Sequence, residues 1–178
     1  MKPVDTMTQA ELGAYVQSYL SKKGIDVILS GGAAVAIYTS GKYVSLDLDL
    51  VNRYSGKHSI ISAAMQELGF TQKGRHFVHP DSEFIVEFPP GPLSIGEESI
   101  TNIEEIETDT GILRVISPTD CMKDRLAWYY HFGDMQCLSQ ATLLSIDHRI
   151  DMEEIRRWSE EEGKLDDFVE IRHQLEGN

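Results

Sequence analysis

The fold is decided by two short stretches, Ser30-Gly31-Gly32 and Leu46-Asp47-Leu48-Asp49-Leu50. Side chains alternate between the two faces of a strand, so Asp47 and Asp49 are predicted to share one face. The three leucines are predicted to share the other face and to enter a core. Two adjacent carboxylates repel each other unless a cation, a shared proton or a basic partner offsets their charge. Two oxygen ligands suit a hard divalent metal such as Mg²⁺, and the glycine turn upstream suits a phosphate.

The composition indicates a globular protein with a hydrophobic core. The chain has 178 residues, of which 41% are hydrophobic and 25% charged, and this length favours one domain with a small appendage. Its net charge of −13 argues against general DNA or membrane binding, but it is compatible with a metal–nucleotide complex. No apolar run approaches the roughly 18 residues of a membrane span. Cys121 and Cys137 form no CxxC motif and fit a reducing cytosol, so we expect a cytoplasmic protein.

The periodicity of hydrophobic residues predicts an α/β (α+β) fold. Strands are predicted at 25–29, 44–51 and 83–88, helices at 7–22, 33–38 and 58–68, and hairpins at 70–79 and 103–116. The link between the first two strands is too short for a parallel crossover, which favours a mixed sheet containing antiparallel strands. Four helices are predicted from Ser117 onward. We therefore expect an α/β core over 1–116 and a C-terminal helical segment over 117–178 that packs on it.

The order of these motifs resembles the nucleotidyltransferase superfamily, whose core resembles that of DNA polymerase β. The superfamily places Gly and then Gly or Ser after an apolar residue, followed by Asp-x-Asp or Asp-x-Glu between apolar residues. A third acid follows on a neighbouring strand. The matching stretches here are Leu29-Ser30-Gly31-Gly32, Leu46-Asp47-Leu48-Asp49-Leu50 and Val86-Glu87-Phe88. The gap from Gly32 to Asp47 is slightly longer than is common in the family, and the third acid is Glu rather than Asp.

The C-terminal helices extend this resemblance toward the AbiEii-like branch of the superfamily, which includes toxins of toxin–antitoxin pairs. Its helical segment carries a Lys and a later Asp. Similar stretches here are Pro118-Thr119-Asp120, Lys123-Asp124-Arg125-Leu126 and Asp134. The resemblance is greatest to a bacterial or archaeal group of minimal nucleotidyltransferases.

The resemblance implies a flanked sheet of nucleotidyltransferase type and a Mg²⁺- or Mn²⁺-dependent transfer of an NMP group. The donor would be an NTP, and the acceptor a hydroxyl of an RNA, a protein or a small molecule. The implied catalytic and metal-binding acids are Asp47, Asp49 and Glu87. The implied phosphate-binding residues are Ser30, Gly31, Gly32 and Lys123. Glu83 is a rival for the third acid, and Ser30 could equally cap the following helix.

Two other functions fit the same residues. One is a non-catalytic interaction module, such as one half of a toxin–antitoxin pair, that acts on a protein partner through its acidic helices. Its basis is the acidic composition of 151–178, which contains ten Asp or Glu residues but only four Lys or Arg residues. The other is a regulator that binds a nucleotide without turning it over.

Overall fold

The chain folds around a seven-stranded sheet, and the computed structural model describes residues 2–54 and 58–177. The strands are β1 (Val27–Ser30), β2 (Asp47–Asn52), β3 (Thr71–Lys73), β4 (His76–Val78), β5 (Ile85–Glu87), β6 (Ser94–Ile95), β7 (Glu98–Ser99), β8 (Ile103–Thr108) and β9 (Gly111–Ile116). The helices are α1 (Gln9–Lys22), α2 (Gly31–Tyr38), α3 (His58–Glu67), α4 (Pro118–Phe132), α5 (Met135–Asp147), α6 (Met152–Glu161) and α7 (Leu165–Leu175).

The sheet is mixed, with the order β3-β4-β5-β2-β1-β9-β8. The pairs β1–β9 and β2–β5 are parallel, and the other neighbouring pairs are antiparallel. β1 and β2 pair antiparallel, because the link through α2 is too short for a parallel crossover. β6 and β7 form a separate two-stranded ribbon. This mixed α/β architecture confirms the predicted fold class.

The central strands supply the core on one side of the sheet. Leu48 and Leu50 of β2 are fully buried, as are Leu12, Val16 and Leu20 of α1. Burial of a leucine side chain contributes about 1.5–3 kcal/mol. Helix α1 begins at a capping box in which Thr8 and Glu11 each accept a hydrogen bond from the backbone N–H of the other. The carboxylates of β2 are consequently left on the opposite face.

Two predicted strands are shorter in the structure. The strand predicted from Val44 begins at Asp47, and Val44 and Leu46 are 72% and 46% exposed. The last pair between β1 and β2 joins Ser30 to Asp49, and β2 begins at Asp47 because its pairing with β5 begins there, opposite Ile85. The expectation that Leu46 enters the core was therefore wrong. The strand predicted over 83–88 spans Ile85–Glu87.

The C-terminal helices begin with α4, which packs on α2 and on α5 and α6. The Ser117 hydroxyl accepts the Asp120 N–H and Pro118 occupies the first turn, a common helix start. The buried side of α4 is formed by Cys121, Met122, Leu126 and Tyr130. Both cysteines are free thiols. In the part of the chain that the structure describes, no helix has the length and apolar character needed to span a membrane.

Candidate active site

Three adjacent strands place three polar side chains side by side. Asp49 of β2 is the register partner of Ser30 in β1 and of Glu87 in β5. Asp47 lies two residues earlier on the same strand and therefore on the same face as Asp49. The register thus gathers the three acids that the sequence singled out at one end of the sheet, with Asp49 in the middle.

Asp49 lies against the backbone at the start of α2. Gly31 has a φ of +70°, and a Cβ at this position would lie 2.2 Å from Asp49 Oδ2. Only glycine accommodates both this backbone conformation and the carboxylate beside it. Ser30 immediately precedes α2, but its side chain makes no capping hydrogen bond in the described structure. Its hydroxyl is thus available to a ligand at the N-terminus of α2.

The environment of Asp49 disfavours a negative charge. Burial is the largest cause that raises the pKa of Asp49 to about 6, and the carboxylates of Glu87, Asp124 and Asp47 act in the same direction. Arg125 opposes them. A carboxylate that is partly buried among like charges is stabilised by any cation that binds it. The site is therefore electrostatically suited to a cationic ligand.

Glu87 has partners of its own. His76 Nε2 lies 2.7 Å from one Glu87 oxygen and Arg75 Nε lies 3.2 Å from the other. Within 2–54 and 58–177, no cluster of three or more His, Cys, Asp or Glu side chains is arranged so that it could hold a metal ion. The rival Glu83 lies outside β5 and is exposed. Of the two glutamates, only Glu87 is in register with Asp49.

The acids on β2 fit a hard divalent cation. Asp47 and Asp49 offer carboxylate oxygens from one strand face, and such oxygens are the ligands preferred by Mg²⁺. Mg²⁺ is usually held by one or two protein carboxylates together with substrate phosphates. The residues that would hold it here are Asp47 and Asp49, with Glu87 beside them.

A pocket of about 390 Å³ opens over Ser30, Gly31 and Asp49. Its second wall comes from α4, which contributes Asp124, Arg125 and Trp128. The Arg125 guanidinium donates to the Asp124 carboxylate at 2.6 Å, and its Nε is buried with no hydrogen-bond partner among the described atoms. Sequence reasoning did not assign these three residues to the site, although their i, i+1, i+4 spacing puts them on one side of a helix.

Lys123, which the sequence predicts to bind a phosphate, lines a different cavity from Ser30 and Gly31. Its Nζ is 2.5 Å from Glu154, 3.5 Å from Asp120 and 3.7 Å from Glu98. These groups line a second cavity of about 470 Å³. A helix turns by about 100° per residue, so Lys123 and its neighbour Asp124 face different cavities. Arg125 is the basic side chain at the first pocket.

Replacement of Lys123 by Met is expected to destabilise the protein without changing nucleotide binding. The variant keeps the length of the buried side chain but leaves Glu154, Asp120 and Glu98 without it. Loss of one partner from a buried ion pair costs about 3–5 kcal/mol. Because two of these carboxylates are one-third exposed, we expect about 2 kcal/mol. Urea unfolding measures this loss of stability, with Lys22→Met, at an exposed position of α1, as a surface control. Reduced nucleotide affinity in a folded Lys123→Met protein would contradict this placement.

Two solved structures share this fold. The first is an antigenic nucleotidyltransferase-like protein from Paracoccidioides brasiliensis, with a TM-score of 0.57 and 13% identity over 77% of this chain and 75% of that one. The second is the antibiotic-resistance factor ANT(2'')-Ia, with a TM-score of 0.55 and 13% identity over 92% of each chain. No protein-family model and no curated protein matches the sequence.

The chain therefore has a fold of nucleotidyltransferase type. At 13% identity this likeness is one of fold alone, and it gives no support to the AbiEii-like branch.

Proposed function

We propose that the protein is a Mg²⁺- or Mn²⁺-dependent nucleotidyltransferase that moves an NMP group from an NTP to a hydroxyl acceptor. The observation that carries the proposal is the position of Asp49, which lies between Gly31 at the start of α2 and Glu87 on β5. The proposed phosphate site at Gly31 and the proposed cation site at Asp49 are therefore adjacent. The fold shared with nucleotidyltransferase-like proteins supports the same conclusion.

In this proposal one group of residues binds a phosphate of the NTP and another group binds the metal. Backbone N–H groups of Gly31 and Gly32 at the N-terminus of α2 would bind a phosphate, and the Ser30 hydroxyl would donate to it. Asp47 and Asp49 would hold the metal. When bound, the metal neutralises phosphate charge and makes the attacking hydroxyl more acidic. Arg125 would add positive charge from the opposite wall.

The transfer exchanges one phosphorus–oxygen bond for another. The acceptor oxygen bonds to the α-phosphorus while the bond from that phosphorus to the bridging oxygen breaks, and pyrophosphate leaves. The hydroxyl proton passes to a carboxylate of the site, a role for which Glu87 is the candidate. Such a reaction depends mostly on positioning and on neutralisation of charge, so few side chains suffice.

Nucleotide binding tests the proposal directly. We expect the wild-type protein to bind an NTP with Mg²⁺ or Mn²⁺ in isothermal titration calorimetry, and Asp47→Ala/Asp49→Ala to bind at least about 10-fold more weakly, since these two carboxylates would hold the metal. Glu87→Gln is expected to slow transfer, because Glu87 is the candidate to accept the hydroxyl proton, and Glu83→Gln is its matched control because only Glu87 is in register with Asp49. Wild-type protein that binds no NTP with either metal would refute the proposal.

A nucleotide-binding regulator is the second candidate. It is favoured by the contacts of Glu87, because Arg75 and His76 engage the third acid and leave two carboxylates for a metal. Transfer of label from an α-³²P-labelled NTP to RNA, protein and small-molecule acceptors separates the two candidates. Binding without transfer to any acceptor class would favour the regulator.

A further inference from the structure

The pocket has an aromatic wall that the proposed chemistry leaves unused. Trp128 lines the pocket together with Gly31 and Asp49, yet the residue remains 47% exposed. Phe132, one helical turn further along α4, is 74% exposed. The two rings are tilted by 34° with their centroids 5.0 Å apart. The helix therefore presents two adjacent aromatic rings, of which Trp128 lines the pocket and remains about half exposed.

The two tryptophans of the chain have different environments, and only one of them is part of the core. Trp158, the second tryptophan of the chain, is fully buried and packs against Tyr130. Trp128 instead follows Asp124 by one turn, so both side chains project from α4 toward the pocket. The lining of the pocket thus combines polar groups at Gly31 and Asp49 with the aromatic ring of Trp128.

The lining of the pocket is mixed in polarity. It includes the apolar side chains of Val51, Leu93, Ile95, Ile100 and Ile116 and three prolines, together with Ser94 and the ion-paired Asp124 and Arg125. A ligand that joins an anionic, metal-binding part to a flat, apolar part matches this lining. A nucleoside triphosphate has both parts in one molecule, with its base carrying a π-face that stacks on aromatic rings.

We propose that Trp128 is the surface on which the base of the NTP stacks, an inference that rests on the proposed function. A second copy of the chain is a poorer occupant of this surface. It would cover the pocket and bury the acidic side chains of Asp49 and Asp124, which line it, without supplying a cation. A nucleotide instead enters with a divalent cation that neutralises these carboxylates.

Stacking on one ring has a consequence for specificity. Every base has a π-face, so stacking tolerates all four bases and reads no hydrogen-bonding edge. We expect ATP, GTP, CTP and UTP to bind within about 10-fold of one another, with the larger purines bound more tightly.

Tryptophan fluorescence tests the inference, because Trp128 is exposed to ligand and Trp158 is not. NTPs with Mg²⁺ are expected to quench the wild-type signal. Trp128→Ala is expected to bind each NTP about 10-fold or more weakly by calorimetry, but to bind tripolyphosphate, which has no base, within 2-fold of wild type. Trp128→Phe should retain most of the NTP affinity and lose the quenching. Val169→Ala removes an exposed apolar side chain on α7 and serves as the matched control.

The outcomes distinguish this inference from the proposed function. Wild-type protein that binds neither NTPs nor tripolyphosphate overturns both. NTP affinity that is unchanged in Trp128→Ala overturns the stacking inference alone. Equal loss of NTP and tripolyphosphate binding also overturns it, because the ring would then act on the structure of the pocket. A wild-type dimer in sedimentation that Trp128→Ala dissociates would assign the surface to a second copy.

Discussion

Replacement of Asp49 by Asn is expected to abolish nucleotidyl transfer and at the same time to stabilise the protein at neutral pH. The amide keeps the shape of the side chain but removes the charge that would bind the metal. Removal of one preorganised charged group from an active site typically costs about 10²- to 10³-fold in rate. The gain in stability follows from the surroundings of Asp49, where burial and the carboxylates of Glu87 and Asp124 make its charge unfavourable.

The sign of the pH dependence is set by the raised pKa. The Asp49 carboxyl titrates at about 6 in the folded protein against an ordinary value of 3.8. Below both values it is protonated in both states, so the folded state bears no penalty. As the pH rises, the unfolded chain loses its proton first, and wild-type stability falls until the folded carboxyl is also ionised. A shift of about two units corresponds to roughly 3 kcal/mol.

Urea unfolding without metal at several pH values measures this effect. Asp49→Asn should be more stable than wild type at pH 8, and the difference should shrink toward zero as the pH falls from about 6 to about 4. Asp166→Asn, an exposed acid on α7, makes the same change in charge and should show no such trend. Mg²⁺ with an NTP should raise the melting temperature of wild type but not that of Asp49→Asn. An Asp49→Asn protein less stable than wild type at pH 8 would contradict the electrostatic account.

The alternation along β2 could be predicted from the sequence because it depends only on local geometry. Leu48 and Leu50 are buried, and Asp47 and Asp49 lie on the other face, as the two-residue period of a strand requires. The position at which β2 begins could not be predicted in this way. It depends on the pairing of Asp47 with Ile85 at the start of β5, which is a property of another segment of the chain.

The side of α4 that faces the acids of β2 also could not be predicted from the local sequence. The sequence predicted a helix with Lys123, Asp124 and Arg125 in succession, but it did not show which of them faces the acids of β2. The buried side of the helix decides this, and the partner of Lys123 is Glu154, 31 residues away in sequence. The contacts of Glu87 with Arg75 and His76 also could not be predicted from the local sequence. The hairpin of β3 and β4 was predicted, but the pairing of His76 with Glu87 depends on the register between β4 and β5.

The second large effect is expected from a methyl group added at Gly31. In Gly31→Ala the new Cβ would lie 2.2 Å from Asp49 Oδ2, so the carboxylate must move. A misplacement of about 1 Å in an active site can cost about 10²-fold in rate, and we expect a loss of at least this size. The variant should also be less stable, because a non-glycine residue at a φ of +70° costs about 1–2 kcal/mol and the steric clash adds about 1–3 kcal/mol.

A control substitution at Gly24 distinguishes the free-energy cost of the steric clash from that of the backbone conformation. Gly24 has a φ of +75° and nothing within 4 Å of a Cβ at that position, so Gly24→Ala carries the conformational penalty alone. If contact with Asp49 causes the extra loss, Asp49→Ala should relieve part of it, since the nearest remaining Asp49 atom, Cβ, lies 3.2 Å away. A double-mutant cycle by urea unfolding measures this coupling. Equal destabilisation by Gly31→Ala and Gly24→Ala, with transfer activity retained in both, would show that Asp49 does not need its place against Gly31. A coupling free energy between Gly31→Ala and Asp49→Ala, together with loss of transfer activity in Gly31→Ala, would instead show that the glycine turn and the acidic strand form one site.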